Sequence, residues 1–193
     1  MNLPNKLSLM RVIMVPVFVA VIVLPILPDT WMRIIGAAIF ILTAFTDFLD
    51  GMIARKFNLI TDFGKFIDPL ADKFMVFGAM LAILYRFEYL RPVFIWAALI
   101  VIFRELAITS MRLIVSSNAG VVVAAAWLGK VKTVTQIICI VVILLEPVII
   151  PASSPLYDMH LFSYITTAAM TVMTLWSGID YMKAYWKFID PTK

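Results

Sequence analysis

Six runs of apolar residues alternate with short polar connections along the chain. They lie at roughly Val12–Leu27, Trp31–Ile53, Phe66–Tyr85, Pro92–Ile114, Val131–Ile150 and Leu161–Trp186. A helix needs about 20 mostly apolar residues to cross a bilayer. The pattern therefore predicts an all-α, polytopic membrane protein with six transmembrane helices. Prolines punctuate it: Pro25 and Pro28 at the first turn, Pro92 opening the fourth helix, Pro147 and Pro151 closing the fifth. No repeat, low-complexity tract or long linker divides the chain, so residues 1–193 are expected to form one domain, with 1–11 as a juxtamembrane segment.

Composition agrees. Hydrophobic residues make up 63% of the chain and charged residues 15%, against about 25% charged in soluble domains. The first apolar run is long and lacks a small-residue cleavage site, so no cleavable signal peptide is expected. The Lys and Arg residues fall unevenly among the connections. One side would hold Lys6, Arg11, Arg55, Lys56, Lys65, Lys130, Lys132, Lys183, Lys187 and Lys193, and the other only Arg33, Arg86 and Arg91. Cationic loops stay in the cytoplasm, so both termini are expected there. The basic excess reads as topology and contact with anionic headgroups, with no nucleic-acid partner. Cys139 reads as a small core residue and His160 as an ordinary loop residue.

Against this background the segment from Asp47 to Asp72 stands out, with five aspartates at the edges of apolar runs. If the second helix runs inward from Trp31, Asp50 lies about 29 Å along it, near the cytoplasmic boundary. The third helix would begin at that boundary with Asp68 and Asp72. Asp47 and Asp50 are spaced i, i+3, and Asp68 and Asp72 i, i+4, so each pair occupies one helical face. Asp62 falls in the connection and reads as solvated. Four crowded carboxylates repel one another, and a divalent cation would neutralise them through hard oxygen ligands. Solvated helix-end acids would be the plainer explanation. It could cover Asp68 at a helix N-terminus, but not Asp47 and Asp50 at a C-terminal end, where acids are unfavourable. A cation transporter lined by aspartates is a second class of reading, but the apolar outer halves of both helices favour a site open to the cytoplasm. Gly51, Ala54 and Gly64 allow close approach of a bulky group to the backbone. Arg55 offers the planar fork that binds phosphate. Together these residues look like a metal-dependent pyrophosphate site.

The spacing Asp47-x2-Asp50-Gly51-x2-Ala54-Arg55-x8-Gly64-x3-Asp68-x3-Asp72 resembles the signature of the CDP-alcohol phosphotransferase family at every fixed position. The stretches LPNKLSLMR, RELAITSMR and WLGKVKTVTQ extend the resemblance to members that use glycerol 3-phosphate. The resemblance implies a homodimeric enzyme in a bacterial cell membrane, with its site facing the cytoplasm. It would transfer a phosphatidyl group from CDP-diacylglycerol to glycerol 3-phosphate, giving phosphatidylglycerol phosphate and CMP. It also implies two Mg²⁺ or Mn²⁺ ions on Asp47, Asp50 and Asp68, with Asp72 both touching a metal and acting as general base. The CDP-lipid would lie against Asn5, Ser8, Gly51, Ala54, Arg55, Thr61 and Gly64.

A doubly charged acceptor calls for a cationic pocket. Arg104 and Arg112 are spaced i, i+8 on the fourth helix, about 18 Å and 30 Å along it. An arginine that deep needs a partner. Glu105 is expected not to serve, because adjacent helical residues do not face each other; a motif aspartate is the alternative. Arg104, Arg112 and Lys130 are assigned to the acceptor phosphate, with Lys132 as a further candidate and positive-inside topology as the alternative for both lysines. Inositol phosphate is the alternative acceptor. Asp180 and Lys73 receive no role from spacing.

Overall fold

The computed structural model describes residues 3–56, 61–119 and 127–186. They form α1 (Leu3–Val23), α2 (Asp29–Lys56), α3 (Asp62–Arg86), α4 (Arg91–Ala119), α5 (Trp127–Ile149) and α6 (Leu161–Tyr185), with no strand among the described residues. α1, α2, α4 and α5 each contain a stretch long and apolar enough to cross a membrane. α3 and α6 have the length but not the uniform composition. α3 carries Asp68, Asp72 and Lys73 within its apolar run, and α6 turns Ser163, Thr167, Thr174 and Ser177 into the interior. Large apolar side chains cover the outside, including Phe103 (73% exposed), Trp96 (68%) and Leu42 (64%). A surface this apolar suits lipid and not water.

Each predicted run becomes a helix, but several ends move. α1 starts at Leu3, nine residues before the apolar run, so the expected juxtamembrane segment is largely helix. Its Asn5, Ser8 and Arg11 are buried against the neighbouring helices. α3 starts at Asp62, capped by Thr61, so Asp62 is in its first turn and Asp68 is well inside it. α5 starts at Trp127, which puts Lys130 and Lys132 on a helix and not in a connection, and Pro147 lies inside it.

α1 packs against both α2 and α3, α5 against α2 and α6, and α4 against α6. Without a hydrophobic drive between helices in lipid, close approach depends on small residues. Gly36 and Gly78 supply it: a Cβ there would lie 2.5 Å from Ile22 Cδ1 and 2.6 Å from Val15 Cγ1 respectively. The apolar core between the ends includes Phe18, Phe40, Met80, Val101, Ile140 and Met170.

At one end of the bundle meet the start of α2, the end of α3 and the α5–α6 connection. Asp29 pairs with Arg33 (2.5 Å) and Arg86 (3.2 Å). Glu146 accepts from the backbone N–H groups of Phe162 and Ser163, both at 2.8 Å, and so caps α6, which its own N-cap His160 does not. His160 is a loop residue as expected but not a bare one. It adopts φ 45° and stacks on Tyr89 with centroids 3.7 Å apart. Burial lowers its pKa from the ordinary imidazole value. Cys139 is fully buried, as expected.

Candidate active site at the opposite end

The other end gathers the starts of α1, α3 and α5 and the ends of α2, α4 and α6. All the candidate site residues read from the sequence belong to these segments. The side chains of Asp50, Ala54, Arg55, Lys56 and Lys65, the surroundings of Gly51, and Lys187 and Lys193 lie outside the described residues.

One half of the site is built by α1, α2 and α3. Asn5, Ser8 and Arg11 repeat every three residues and form a polar stripe on the buried side of α1. Ser8 Oγ donates to Asp68 Oδ1 at 2.5 Å. The fully buried Arg11 pairs through Nη1 with Asp47 Oδ1 at 2.5 Å. Thr61 Oγ1 donates to Asn5 Oδ1 at 3.0 Å and accepts the Gly64 N–H at 3.0 Å, which starts α3 against α1. From the sequence, Arg11 reads only as part of the basic excess that sets topology and meets anionic headgroups. The signal for its site role is its place in a polar i, i+3, i+6 stripe at the head of an otherwise apolar helix.

Gly64 sits where no side chain fits easily. A Cβ would lie 3.0 Å from Asn5 Oδ1 and 3.2 Å from Thr61 Oγ1, two atoms already bonded to each other. Gly64→Ala is expected to destabilise by up to about 1 kcal/mol, because a disrupted cap costs up to about 2 kcal/mol against about 1 kcal/mol gained in helix propensity. Unfolding of the purified variant in detergent measures this, and equal or greater stability than the parent would refute it.

Asp72 lies one turn beyond Asp68 on α3, where it feels the charges of Asp47 and Arg11 and also those of Lys132 and Glu105. It therefore stands between the two halves of the site. The adjacent Lys73 is not directed at it; Nζ donates to Thr109 Oγ1 of α4 at 2.5 Å.

The second half is cationic. Arg104 Nη1 lies 3.1 Å from Glu105 Oε1, and Lys132 Nζ contacts the same oxygen. This corrects the expectation that Glu105 would not partner Arg104: a long guanidinium can fold back to a neighbour that its Cβ does not face. No motif aspartate pairs with Arg104 among the described residues; Arg11 occupies that role. Arg104 Nη2 also donates to Ser177 Oγ (2.6 Å), and Arg112 Nη2 donates to the Tyr181 hydroxyl (2.6 Å). Arg112 and Lys130 are exposed, whereas Lys132 is buried. Asp180 is exposed on α6. Glu105, Ser177 and Tyr181 had no part in the sequence-derived site.

Among the described residues, no three acidic, histidine or cysteine side chains converge closely enough to hold a metal ion. Asp50, one of the four expected ligands, is outside that set. The donor chemistry of those described does fit a hard divalent cation. Ser8 donates to Oδ1 of Asp68, Arg11 pairs with Oδ1 of Asp47, and the Asp47 side chain is 41% exposed.

An all-helical bundle with this aspartate and arginine geometry now has a class. The CDP-alcohol phosphatidyltransferase family model matches residues 1–179, and the chain belongs to that family. Members of the family use divalent metal ions. Among particular relatives, a CDP-diacylglycerol–glycerol-3-phosphate 3-phosphatidyltransferase of Bacillus subtilis is 38% identical, covering 96% of each chain. A protein of the same name from Yersinia enterocolitica is 33% identical over 97% of this chain and 96% of its own. A probable phosphatidylglycerophosphate synthase of Mycobacterium tuberculosis is 34% identical over 94% of this chain and 80% of its own. With bacterial relatives and helices of this apolarity, the chain is a membrane protein.

Proposed function

We propose that the protein transfers the phosphatidyl group of CDP-diacylglycerol to glycerol 3-phosphate, releasing CMP and phosphatidylglycerol phosphate. The relatives' names support the reaction. The observation that carries the mechanism is the position of Asp72, one turn from Asp68 on α3 and within electrostatic range of Asp47 and Arg11 in one half of the site and of Glu105 and Lys132 in the other.

In this mechanism a glycerol 3-phosphate hydroxyl attacks the phosphorus that bears the diacylglycerol. A new P–O bond forms, the P–O bond to CMP breaks, and Asp72 takes the hydroxyl proton. Asp47, Asp50 and Asp68, with Asp72, would hold two Mg²⁺ or Mn²⁺ ions. Bound there, the ions supply charge stabilisation for the attacking and leaving oxygens. Ser8 and Arg11 orient Asp68 and Asp47. Arg55, Gly51, Ala54, Thr61, Gly64 and Asn5 bind the CDP-lipid head group. Arg104, Arg112 and Lys130 receive the acceptor phosphate, with Lys132, which pairs with Glu105, as a further candidate.

The same proposal places the protein in the bacterial cell membrane with both termini and the site in the cytoplasm, as a homodimer. The unequal loop charges support the orientation. Placing one substrate's head group and a water-soluble acceptor at the same membrane edge accounts for carboxylates beside apolar runs.

The test is transfer of labelled glycerol 3-phosphate to CDP-diacylglycerol by purified protein in detergent, with Mg²⁺, Mn²⁺ or EDTA. Labelled phosphatidylglycerol phosphate with either metal, and none with EDTA, is the expected result. Product only with inositol phosphate would overturn the acceptor and keep the chemistry. No transfer to any acceptor by folded protein would overturn the enzyme reading.

A further inference from the structure

α6 contributes no residue to the family motif, yet it meets both arginines of α4. Ser177 and Tyr181 are spaced i, i+4 and share one face of the helix. Both are buried, Ser177 fully and Tyr181 at 2% exposure. Ser177 Oγ accepts from Arg104 Nη2, and the Tyr181 hydroxyl accepts from Arg112 Nη2, each at 2.6 Å. The Tyr181 ring also lies beneath both guanidinium groups, 5.6 Å from Arg104 Cζ and 5.1 Å from Arg112 Cζ. Between them Gly178 leaves room for Arg104, whose Cγ would be 3.2 Å from any Cβ at that position.

One aromatic ring thus restrains two cations that would otherwise repel each other. The ring face attracts both, and a phenol holds the outer one by a single nitrogen. An arginine carries five N–H donors. Arg112 is engaged by Tyr181 through one nitrogen, and its side chain faces the exposed side of the bundle. We propose that Tyr181, assisted by Ser177, is a positioning residue that sets Arg104 and Arg112 at the spacing required by the acceptor phosphate. The inference rests on the assignment of those arginines to the acceptor under Proposed function.

A positioning role separates from a structural one in the kinetics. Tyr181→Phe keeps the ring and loses the hydroxyl. The expected result is a rise of about 10-fold in KM for glycerol 3-phosphate, the scale of one charge-assisted hydrogen bond, with kcat and the KM for CDP-diacylglycerol unchanged within about twofold. Tyr181→Leu, which also removes the ring, raises the same KM further. Ser177→Ala, which acts on Arg104 and not Arg112, gives a smaller rise. Adding Tyr181→Phe to Arg112→Ala raises the KM no further than Arg112→Ala alone, since the two act through one contact. Three results would overturn the inference. The first is an unchanged acceptor KM in folded Tyr181→Phe and Ser177→Ala while Arg112→Ala raises it, which leaves the acceptor assignment standing. The second is an equal rise in both substrates' KM, the mark of general loosening. The third is an unchanged acceptor KM in Arg104→Ala and Arg112→Ala themselves, which removes the acceptor assignment as well.

Discussion

Asp72→Asn is expected to lower kcat by about 10²- to 10⁴-fold, the range that a positioned general base contributes, without unfolding the protein. Asparagine keeps the size and the hydrogen-bonding oxygen but cannot accept a proton at neutral pH. The site surrounds Asp72 with charges of both signs, from Asp47 and Glu105 and from Arg11 and Lys132. Removing a partly buried carboxylate there relieves its desolvation and its repulsion by Asp47 and Glu105 and forfeits its attraction to Lys132 and Arg11, so stability should change little. Steady-state transfer and thermal unfolding of the same preparation separate the two effects. If the variant kept a tenth or more of parental kcat, the proton would have to leave by another route.

The second large effect is expected at Glu105. Its Oε1 faces both Arg104 and Lys132, and the three side chains are only 12%, 10% and 7% exposed. Removing one partner from a buried ionic group leaves uncompensated charge and typically costs about 3–5 kcal/mol. Glu105→Ala leaves two cations facing each other and should reach that range; Glu105→Gln, which still offers an oxygen to them, should cost less. A combined replacement, Arg104→Leu with Glu105→Leu and Lys132→Met, should recover much of the stability, because apolar groups can replace a buried ionic cluster at little cost. The triple variant should nonetheless transfer poorly to glycerol 3-phosphate if Arg104 serves the acceptor. Reversible unfolding in mixed detergent measures the stabilities. Parental stability in Glu105→Ala would show that the cluster is hydrated and well screened.

The sequence by itself determined the six helices, because six mostly apolar runs of helical length are separated by short polar or proline-bearing connections. It also placed the candidate site residues at one end of the bundle. In an up-and-down bundle the starts of odd helices and the ends of even ones share an end, so Asp47, Asp68, Asp72, Arg112 and Lys132 had to come together. Helix starts were less legible. Asn5, Ser8 and Arg11 are polar, and only the walls of α2 and α3 make them the buried side of α1. What the tertiary structure alone decided is which charges pair. Arg11 meets Asp47, Ser8 meets Asp68, and Arg112 meets Tyr181 across 69 positions of chain. These contacts depend on how each helix is rotated about its own axis and how deep it sits against its neighbours. Hydrophobic periodicity indicates a face only to within a wide arc, whereas a hydrogen bond is lost within an ångström. Arg104 and Glu105 show the same limit at short range: backbone geometry sets their Cβ directions apart, and only the shared approach of Lys132 from α5 gives the carboxylate its place between two cations.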